Sequence, residues 1–113
     1  MPSKFVVEHL EQGVELRFET RVDRLPLIKM HFDHPEEAFE LIKKLKEEFK
    51  ARDFSIRTSH AKKKKRYRFE ILDDNRMLVL ESRWYPKCQS AERGMASMLR
   101  TLKKAEVKEI VTR

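Results

Sequence analysis

Apolar and polar residues alternate along much of the chain with a period of two, which is typical of half-buried β-strands. The alternation is clearest at Val14, Leu16 and Phe18, which are separated by single charged residues. We expect these apolar side chains to point to one face of a sheet and the charged ones to the other. The pattern predicts strands at residues 4–10, 14–20, 25–32, 54–59, 66–72, 77–82 and 107–112.

Two further segments have the apolar spacing of amphipathic helices. The first helix is predicted at residues 34–50, with Asp33 as its N-cap and Pro35 in its first turn. The second helix is predicted at residues 89–104. Their apolar stripes have the same offsets of 0, 4, 7 and 11, and consist of Ala38, Ile42, Leu45 and Phe49 in the first helix and Ala91, Met95, Met98 and Leu102 in the second.

The order of these elements recurs along the chain. The tripeptide "RFE" occurs at residues 17–19 and again at residues 68–70. Phe32 stands six residues before the first apolar stripe, as Tyr85 stands six before the second. These matches indicate a repeat with a period of about 51–53 residues.

The predicted fold class is therefore α+β, an antiparallel β-sheet with two helices packed on one face. It would be built by internal duplication of a βββα unit. We expect a single domain over residues 1–113. Repeat one would cover about 4–50, repeat two about 54–104, and a closing strand 107–112.

The second half of the chain carries a resemblance to a known family. The stretch "YRFEILDDNRMLVLESRWYPKCQSAERGMASML", residues 67–99, resembles the YegP-like family of small bacterial and archaeal domains. The matching positions are Phe69, Asn75, Ser82, Tyr85, Ala91, Gly94, Met95, Ser97 and Met98. Arg76 departs from the pattern, because the family has glycine at this turn position. The resemblance implies a tandem two-copy α+β fold and a monomer, and no defined activity.

A second resemblance rests on "LIKMHFDHPEEAFELIKKLKEEF", "RYRFEILDDNRMLVLES" and "SMLRTLKKAEVKEIV". In order, these stretches are similar to the βαββα plan of the Pcc1-like subunits of the KEOPS tRNA-modifying complex. The sequence has Ala96 where that family has an asparagine before the serine of the second helix. The resemblance implies an accessory subunit that dimerises, helps to dock tRNA, and leaves an apolar helix or sheet surface exposed in the isolated chain.

Charge is distributed unevenly along the 113 residues, whose formal net charge is +7. Residues 1–50 contain 9 Lys/Arg and 11 Asp/Glu, a net of −2, whereas residues 51–113 contain 17 and 8, a net of +9. The abundance of Lys and Glu beside two glycines and one cysteine is typical of proteins from thermophiles. Thermophilic enrichment would spread both signs through the chain, so the one-sided excess favours a polyanionic partner.

The cations of the second half fall into a hairpin run at residues 62–66, outward strand positions, and a line on the second helix. Trp84 lies between Arg83 and Lys87, and an aromatic ring flanked by cations is suited to base stacking. The alternative is a solvated surface with a turn that protects a strand edge from aggregation. The predicted nucleic-acid-binding residues are Arg57, Lys62, Lys63, Lys64, Lys65, Arg66, Arg68, Arg83, Lys87, Arg93, Arg100 and Lys104.

The sequence contains no constellation that predicts catalysis. Cys88, between the last strand of repeat two and the second helix, has no glycine-rich oxyanion loop or motif-placed histidine beside it in the pattern. The "HFDH" segment at residues 31–34 spans a strand-to-helix junction that splays its side chains, whereas zinc requires three or four convergent ligands. No catalytic residue, metal site or cofactor is predicted, and we expect the chain not to be an enzyme.

The predicted function is non-enzymatic binding of RNA or a ribonucleoprotein through phosphate contacts, with tRNA and rRNA as candidates. A place in a larger protein complex is the alternative, with a dimer expected if the chain is Pcc1-like. One cysteine, apolar runs too short to cross a bilayer, and an N-terminus without a signal-peptide pattern predict a cytoplasmic protein.

Overall fold

Two sheets, each with its own helix, are present in the computed structural model, which describes residues 3–21, 23–59 and 64–111. Unit 1 combines Met1–Phe49 with Thr101–Arg113, and unit 2 is the continuous segment Lys50–Arg100. In chain order the elements are β1 (Lys4–His9), β2 (Val14–Glu19), β3 (Ile28–Phe32), α1 (Pro35–Glu47), a 3₁₀-helix (Ala51–Asp53), β4 (Phe54–Ser59), β5 (Arg66–Leu72), β6 (Leu78–Glu81), α2 (Cys88–Thr101), a second 3₁₀-helix (Leu102–Lys104) and β7 (Glu106–Ile110).

Unit 1 contains a four-stranded sheet in the order β3-β2-β1-β7. The first three strands are antiparallel, and β7 pairs with β1 in parallel, from Lys4 opposite Glu106 to Glu8 opposite Ile110. The rings of Phe5 and Phe18 meet edge to face in its core, with centroids 4.9 Å apart. α1 packs on β1, β2 and β3 with its buried stripe of Ala38, Ile42 and Leu45.

Unit 2 contains a three-stranded antiparallel sheet in the order β4-β5-β6. Its core includes Phe69 and Ile71 of β5, which are fully buried, and Leu80 of β6. α2 lies against this sheet at Gly94, whose backbone closely approaches Tyr85 and Phe69. Ala91, Gly94 and Met98 are the buried residues of α2.

The α+β class predicted from the sequence is confirmed, but the strands form two sheets and not the single sheet expected. The periodicity marks which residues form strands and which face is buried, but it does not encode which strands pair. β1–β3 and β4–β6 each form an antiparallel meander followed by a helix, which is the element order that the repeat predicts. The internal duplication itself stays a prediction.

Several element boundaries differ from the predicted ones, and three of the differences have a clear local setting. β3 begins at Ile28 because Pro26, within the predicted strand, has no N–H for a strand ladder. α1 begins after His34 as N-cap instead of Asp33, and His34 N donates to Glu37 Oε1 at 3.2 Å. α2 ends at Thr101, where the chain tightens into a 3₁₀-helix. The predicted end of the last strand, at residue 112, lies outside the described residues.

In the part of the chain that the structure describes, neither helix is long and apolar enough to cross a bilayer.

Candidate nucleic-acid interface

The cations predicted to bind nucleic acid belong almost entirely to unit 2. Lys62 and Lys63 lie outside the described residues. Of the ten described cations, only Lys104 belongs to unit 1. Unit 2 contains 14 Lys/Arg and 6 Asp/Glu, a net charge of +8, whereas the two segments of unit 1 contain 12 and 13, a net of −1. The charge asymmetry of the sequence therefore coincides with the boundary between the units.

A surface cleft of about 300 Å³ in unit 2 brings three cations beside aromatic residues. Its cationic lining is Lys64, Lys65 and Arg66, which are exposed and have no ion-pair partner within the described chain. The rest of the lining comes from the segment after β6, and consists of Trp84, Tyr85 and Pro86. The cleft thus offers positive charge and ring surface at one place.

A β-bulge aligns this segment with β5. Ser82 N donates to Phe69 O at 2.9 Å, and Tyr67 and Tyr85 exchange two backbone hydrogen bonds of 2.9 and 2.6 Å. The chain therefore advances three residues, from Ser82 to Tyr85, while β5 advances two, from Phe69 to Tyr67. The additional residue forms a β-bulge. Ser82 Oγ accepts from Phe69 N at 3.0 Å, in place of a backbone carbonyl. The bulge keeps the chain beside the start of β5, where the cationic run ends.

Arg68 is held by carboxylates and an aromatic ring inside unit 2. Its Nη2 lies 3.1 Å from Glu70 Oε2 and 2.7 Å from Glu81 Oε2, and its guanidinium lies 4.4 Å from the ring centroid of Trp84. The side chain of Arg68 is only 14% exposed. Because its hydrogen-bonding capacity is directed at these partners, we leave Arg68 out of the interface proposed below.

The first "RFE" tripeptide, residues 17–19, has the same Arg–Glu contact as the second. Arg17 Nε donates to Glu19 Oε2 at 2.9 Å, while Phe18 between them is buried, as Phe69 is in the second copy. Burial of the Arg17 guanidinium opposes its charge, but hydrogen bonds to Glu8, Glu15 and Glu19 prevail and raise the pKa of Arg17. In both copies a buried phenylalanine is flanked by an Arg–Glu pair two residues apart, on the opposite face of the strand. This spacing was a signal in the sequence that Arg68 has a structural partner.

Arg57 and Arg83 occupy intermediate positions. The side chain of Arg57 is 61% exposed, and its Nη1 lies 3.7 Å from Glu70 Oε2, so most of the side chain faces solvent. Arg83 stacks on Tyr85 at 4.2 Å, and its Nε is buried without a hydrogen-bond partner among the residues that the structure describes. Both remain candidates for contact with an anion.

The cations of the second helix do not form the predicted line of three. Arg93 and Arg100 are exposed on α2, but Lys104 belongs to the following 3₁₀-helix and to unit 1. A 3₁₀-helix has three residues per turn, so an offset of eleven no longer returns to the same face. Lys87 is exposed just before α2, and its carbonyl oxygen accepts from Ser90 N at 3.1 Å.

The residues considered for other chemistry are engaged in local contacts. The Cys88 thiol donates to Glu92 Oε1 at 3.2 Å, and this hydrogen bond raises the pKa of Cys88. His31 Nε2 lies 2.9 Å from the carbonyl oxygen of Gln12. Within the described ranges, no group of three or more His, Cys, Asp or Glu residues is arranged to hold a metal ion.

Exposed apolar side chains bear on the Pcc1-like alternative, for which an uncovered apolar surface is the expected mark. Met77 and Leu78 are exposed side by side at the start of β6, and Val107 and Val111 are exposed at and beyond β7. Isolated exposed apolar residues are common on protein surfaces. They do not by themselves identify an interface.

The fold of the chain is that of the YegP-like proteins. A similar solved structure is the solution NMR structure of YegP, a protein of unknown function from E. coli, with a TM-score of 0.76 and 15% sequence identity over 100% of this chain and 97% of that one. A UPF0339 protein from Shewanella oneidensis is also similar, with a TM-score of 0.75 and 11% identity over 98% of this chain and 93% of that one. No protein-family model matches the chain, and no curated protein matches its sequence.

The resemblance to the YegP-like family is thus confirmed at the level of the fold. The resemblance to Pcc1-like subunits stays a prediction. The sequence identified the cations of the cleft and Trp84, but it gave no sign that Tyr85 and Pro86 line the cleft with them. Their proximity depends on the backbone bridge between Tyr67 and Tyr85, which no local pattern reveals.

Proposed function

We propose that the chain binds RNA through phosphate contacts made by unit 2. The observation that carries the proposal is the cleft in which Lys64, Lys65 and Arg66 lie beside Trp84. Lysines supply charge without a fixed geometry, which suits the backbone of a nucleic acid more than the edges of its bases. Binding would therefore depend weakly on base sequence.

The distribution of charge supports a localised contact surface. A net charge of +8 on unit 2 beside −1 on unit 1 concentrates the positive potential on one part of the chain. The exposed cations outside the cleft, such as Arg93 and Arg100, extend this potential along α2. A reducing, cytoplasmic environment, where RNA is abundant, is part of this proposal.

Salt dependence tests the proposal. Each phosphate that a cation neutralises releases counterions, so the logarithm of the affinity falls with the logarithm of salt concentration, by about 0.7 per contact for single strands. Replacing Lys62, Lys63, Lys64 and Lys65 by Ser should weaken binding to short RNAs of unrelated sequence alike, and should flatten the slope by roughly two to three. Fluorescence anisotropy of labelled RNA across a salt series measures both quantities.

A matched variant in unit 1 separates a local site from total charge. The substitutions Arg21→Ser, Arg24→Ser, Lys43→Ser and Lys44→Ser remove four exposed cations of unit 1 and, like the first variant, take the formal net charge from +7 to +3. This variant should bind RNA with nearly the wild-type slope. Equal effects of the two variants, or RNA binding that neither variant changes, would contradict a phosphate-binding site at the cleft.

A further inference from the structure

Trp84 is presented by the bulge that follows β6. Ser82 and Tyr85 are fixed to β5 by backbone hydrogen bonds, and Arg83 and Trp84 occupy the extra length between them. Bulges commonly re-aim a side chain beside a functional site. Trp84 is partly exposed here and contributes to the lining of the cleft.

The orientation of Trp84 is fixed from one side by Arg68. The guanidinium of Arg68 lies over the indole ring at 4.4 Å, and Arg68 is itself held by Glu70 and Glu81. A ring whose rotamer is already restrained loses little conformational entropy when a ligand stacks on it. Arg68 is thus a positioning residue for Trp84.

The size and lining of the cleft suit one nucleotide. Its volume of about 300 Å³ lies at the lower limit of small-molecule pockets. Trp84 provides ring surface for a base, and Lys64, Lys65 and Arg66 provide charge for its phosphates. Aromatic stacking tolerates every base, so this combination is typical of sites that bind single strands without reading their sequence.

We infer that the cleft receives one unpaired base of single-stranded RNA, which stacks on Trp84 while the neighbouring cations contact the adjoining phosphates. The inference rests on the proposed function and names the form of RNA that the site prefers. A duplex offers the same phosphates, but its bases are already stacked and paired. Extracting one base requires the free energy of breaking its pairing and stacking. Unit 2 therefore discriminates single strands from duplexes.

Trp84 is the only tryptophan of the chain, so its emission reports on the cleft directly. The probes are a short single-stranded RNA, the same RNA annealed to its complement, and inorganic polyphosphate, which carries charge without bases. At saturation, the single strand should quench the emission of Trp84 strongly. The duplex and polyphosphate should leave it nearly unchanged.

Variants at Trp84 test the same point by affinity. Trp84→Ala should weaken binding of the single strand by roughly 5- to 150-fold, the usual worth of one stacked base. Binding of the duplex and of polyphosphate should change less than about twofold. Trp84→Phe retains a ring and should recover most of the affinity. Circular dichroism verifies that each variant is folded. If Trp84→Ala does not fold, the quenching of wild-type Trp84 emission and the affinity of Trp84→Phe test the inference.

The outcomes separate the two proposals. Equal affinity for single strand, duplex and polyphosphate, with unchanged Trp84 emission, would overturn stacking and leave phosphate binding intact. Failure of all three probes to bind would overturn both. Quenching by the single strand alone, lost in affinity on Trp84→Ala, supports the inference.

Discussion

Arg76 adopts a backbone conformation that residues with a Cβ atom rarely take. Its φ is 62° in the turn between β5 and β6, where Arg76 N donates to Asp73 O at 2.9 Å. Asp73 Oδ1 stabilises the same turn by accepting from Asn75 N and Met77 N, both at 2.9 Å. The YegP-like pattern has glycine where this chain has Arg76, and the observed φ gives the physical reason for that glycine.

Replacing Arg76 by glycine should therefore stabilise the protein. Arg76→Gly should raise the free energy of unfolding by about 1 kcal/mol, because glycine has no Cβ to clash in the left-handed region. Urea unfolding followed by the emission of Trp84, which lies in the same unit, measures the change. Arg76→Ala also removes the charge but keeps a Cβ, and should have nearly wild-type stability. An equal gain in both variants would assign the effect to charge.

Gly94 shows the opposite case, a glycine required by close packing. A Cβ at this position would lie 2.6 Å from Tyr85 Oη and 3.3 Å from Phe69 Cε1, and both side chains are buried. Gly94→Ala should lower the free energy of unfolding by about 1 to 3 kcal/mol through overpacking. This loss would occur although alanine favours a helix by about 1 kcal/mol over glycine.

A double variant isolates the contact that causes the loss. Tyr85→Phe removes the Oη atom, so Gly94→Ala should cost less in the Tyr85→Phe background than in the wild type. Thermal unfolding by circular dichroism of the four proteins of this cycle gives the coupling. A stabilising effect of Gly94→Ala, as helix propensity alone predicts, would show that α2 does not approach Tyr85 this closely.

β7 is one of the two edge strands of the sheet in unit 1 and the only described parallel partner of β1. Truncation before Glu106 should lower the free energy of unfolding by about 2 to 5 kcal/mol, since ladder hydrogen bonds contribute about 1 kcal/mol each. It should also promote association, because β1, with its buried Val6 and Val7, becomes an open edge. Urea unfolding and size-exclusion chromatography measure the two effects.

A shorter truncation serves as the control for β7. Ending the chain after Ile110 keeps all five residues of the strand. This variant should elute from the column like the full-length chain and have nearly wild-type stability. If the two truncations behave alike, pairing of β7 with β1 does not stabilise unit 1.

At the level of elements, the sequence predicted the positions of strands and helices better than it predicted which strands pair. β4 and β5 have the predicted boundaries, because aromatic and aliphatic residues alternate with polar or charged residues in both. The parallel pairing of β7 with β1 was not predictable, since its residues carry no local mark of the strand beside which they lie. The bulge after β6 was not predictable for the same reason, and the lining of the cleft depends on that bulge.

Across the whole molecule, the uneven charge was predictable because unit 2 is one continuous segment. A division of the sequence after residue 50 already separates nearly all the cations of unit 2 from the first segment of unit 1. The division misplaces only the final segment, which returns to unit 1. Arg68 shows what the net charge conceals, since it contributes to the total while its guanidinium is held by Glu70 and Glu81.

The return of the chain to unit 1 has a consequence for synthesis on the ribosome. β1 is synthesised before its partner β7, which follows about a hundred residues later, as the contact between His9 and Glu109 illustrates. At about 5 to 20 residues per second, β1 waits on the order of 5 to 20 seconds for that strand. Residues 50–100 emerge in the interval and can fold first. The unit begun first is therefore completed last, and nascent chains crowded on one messenger are exposed to mispairing at β1 until then.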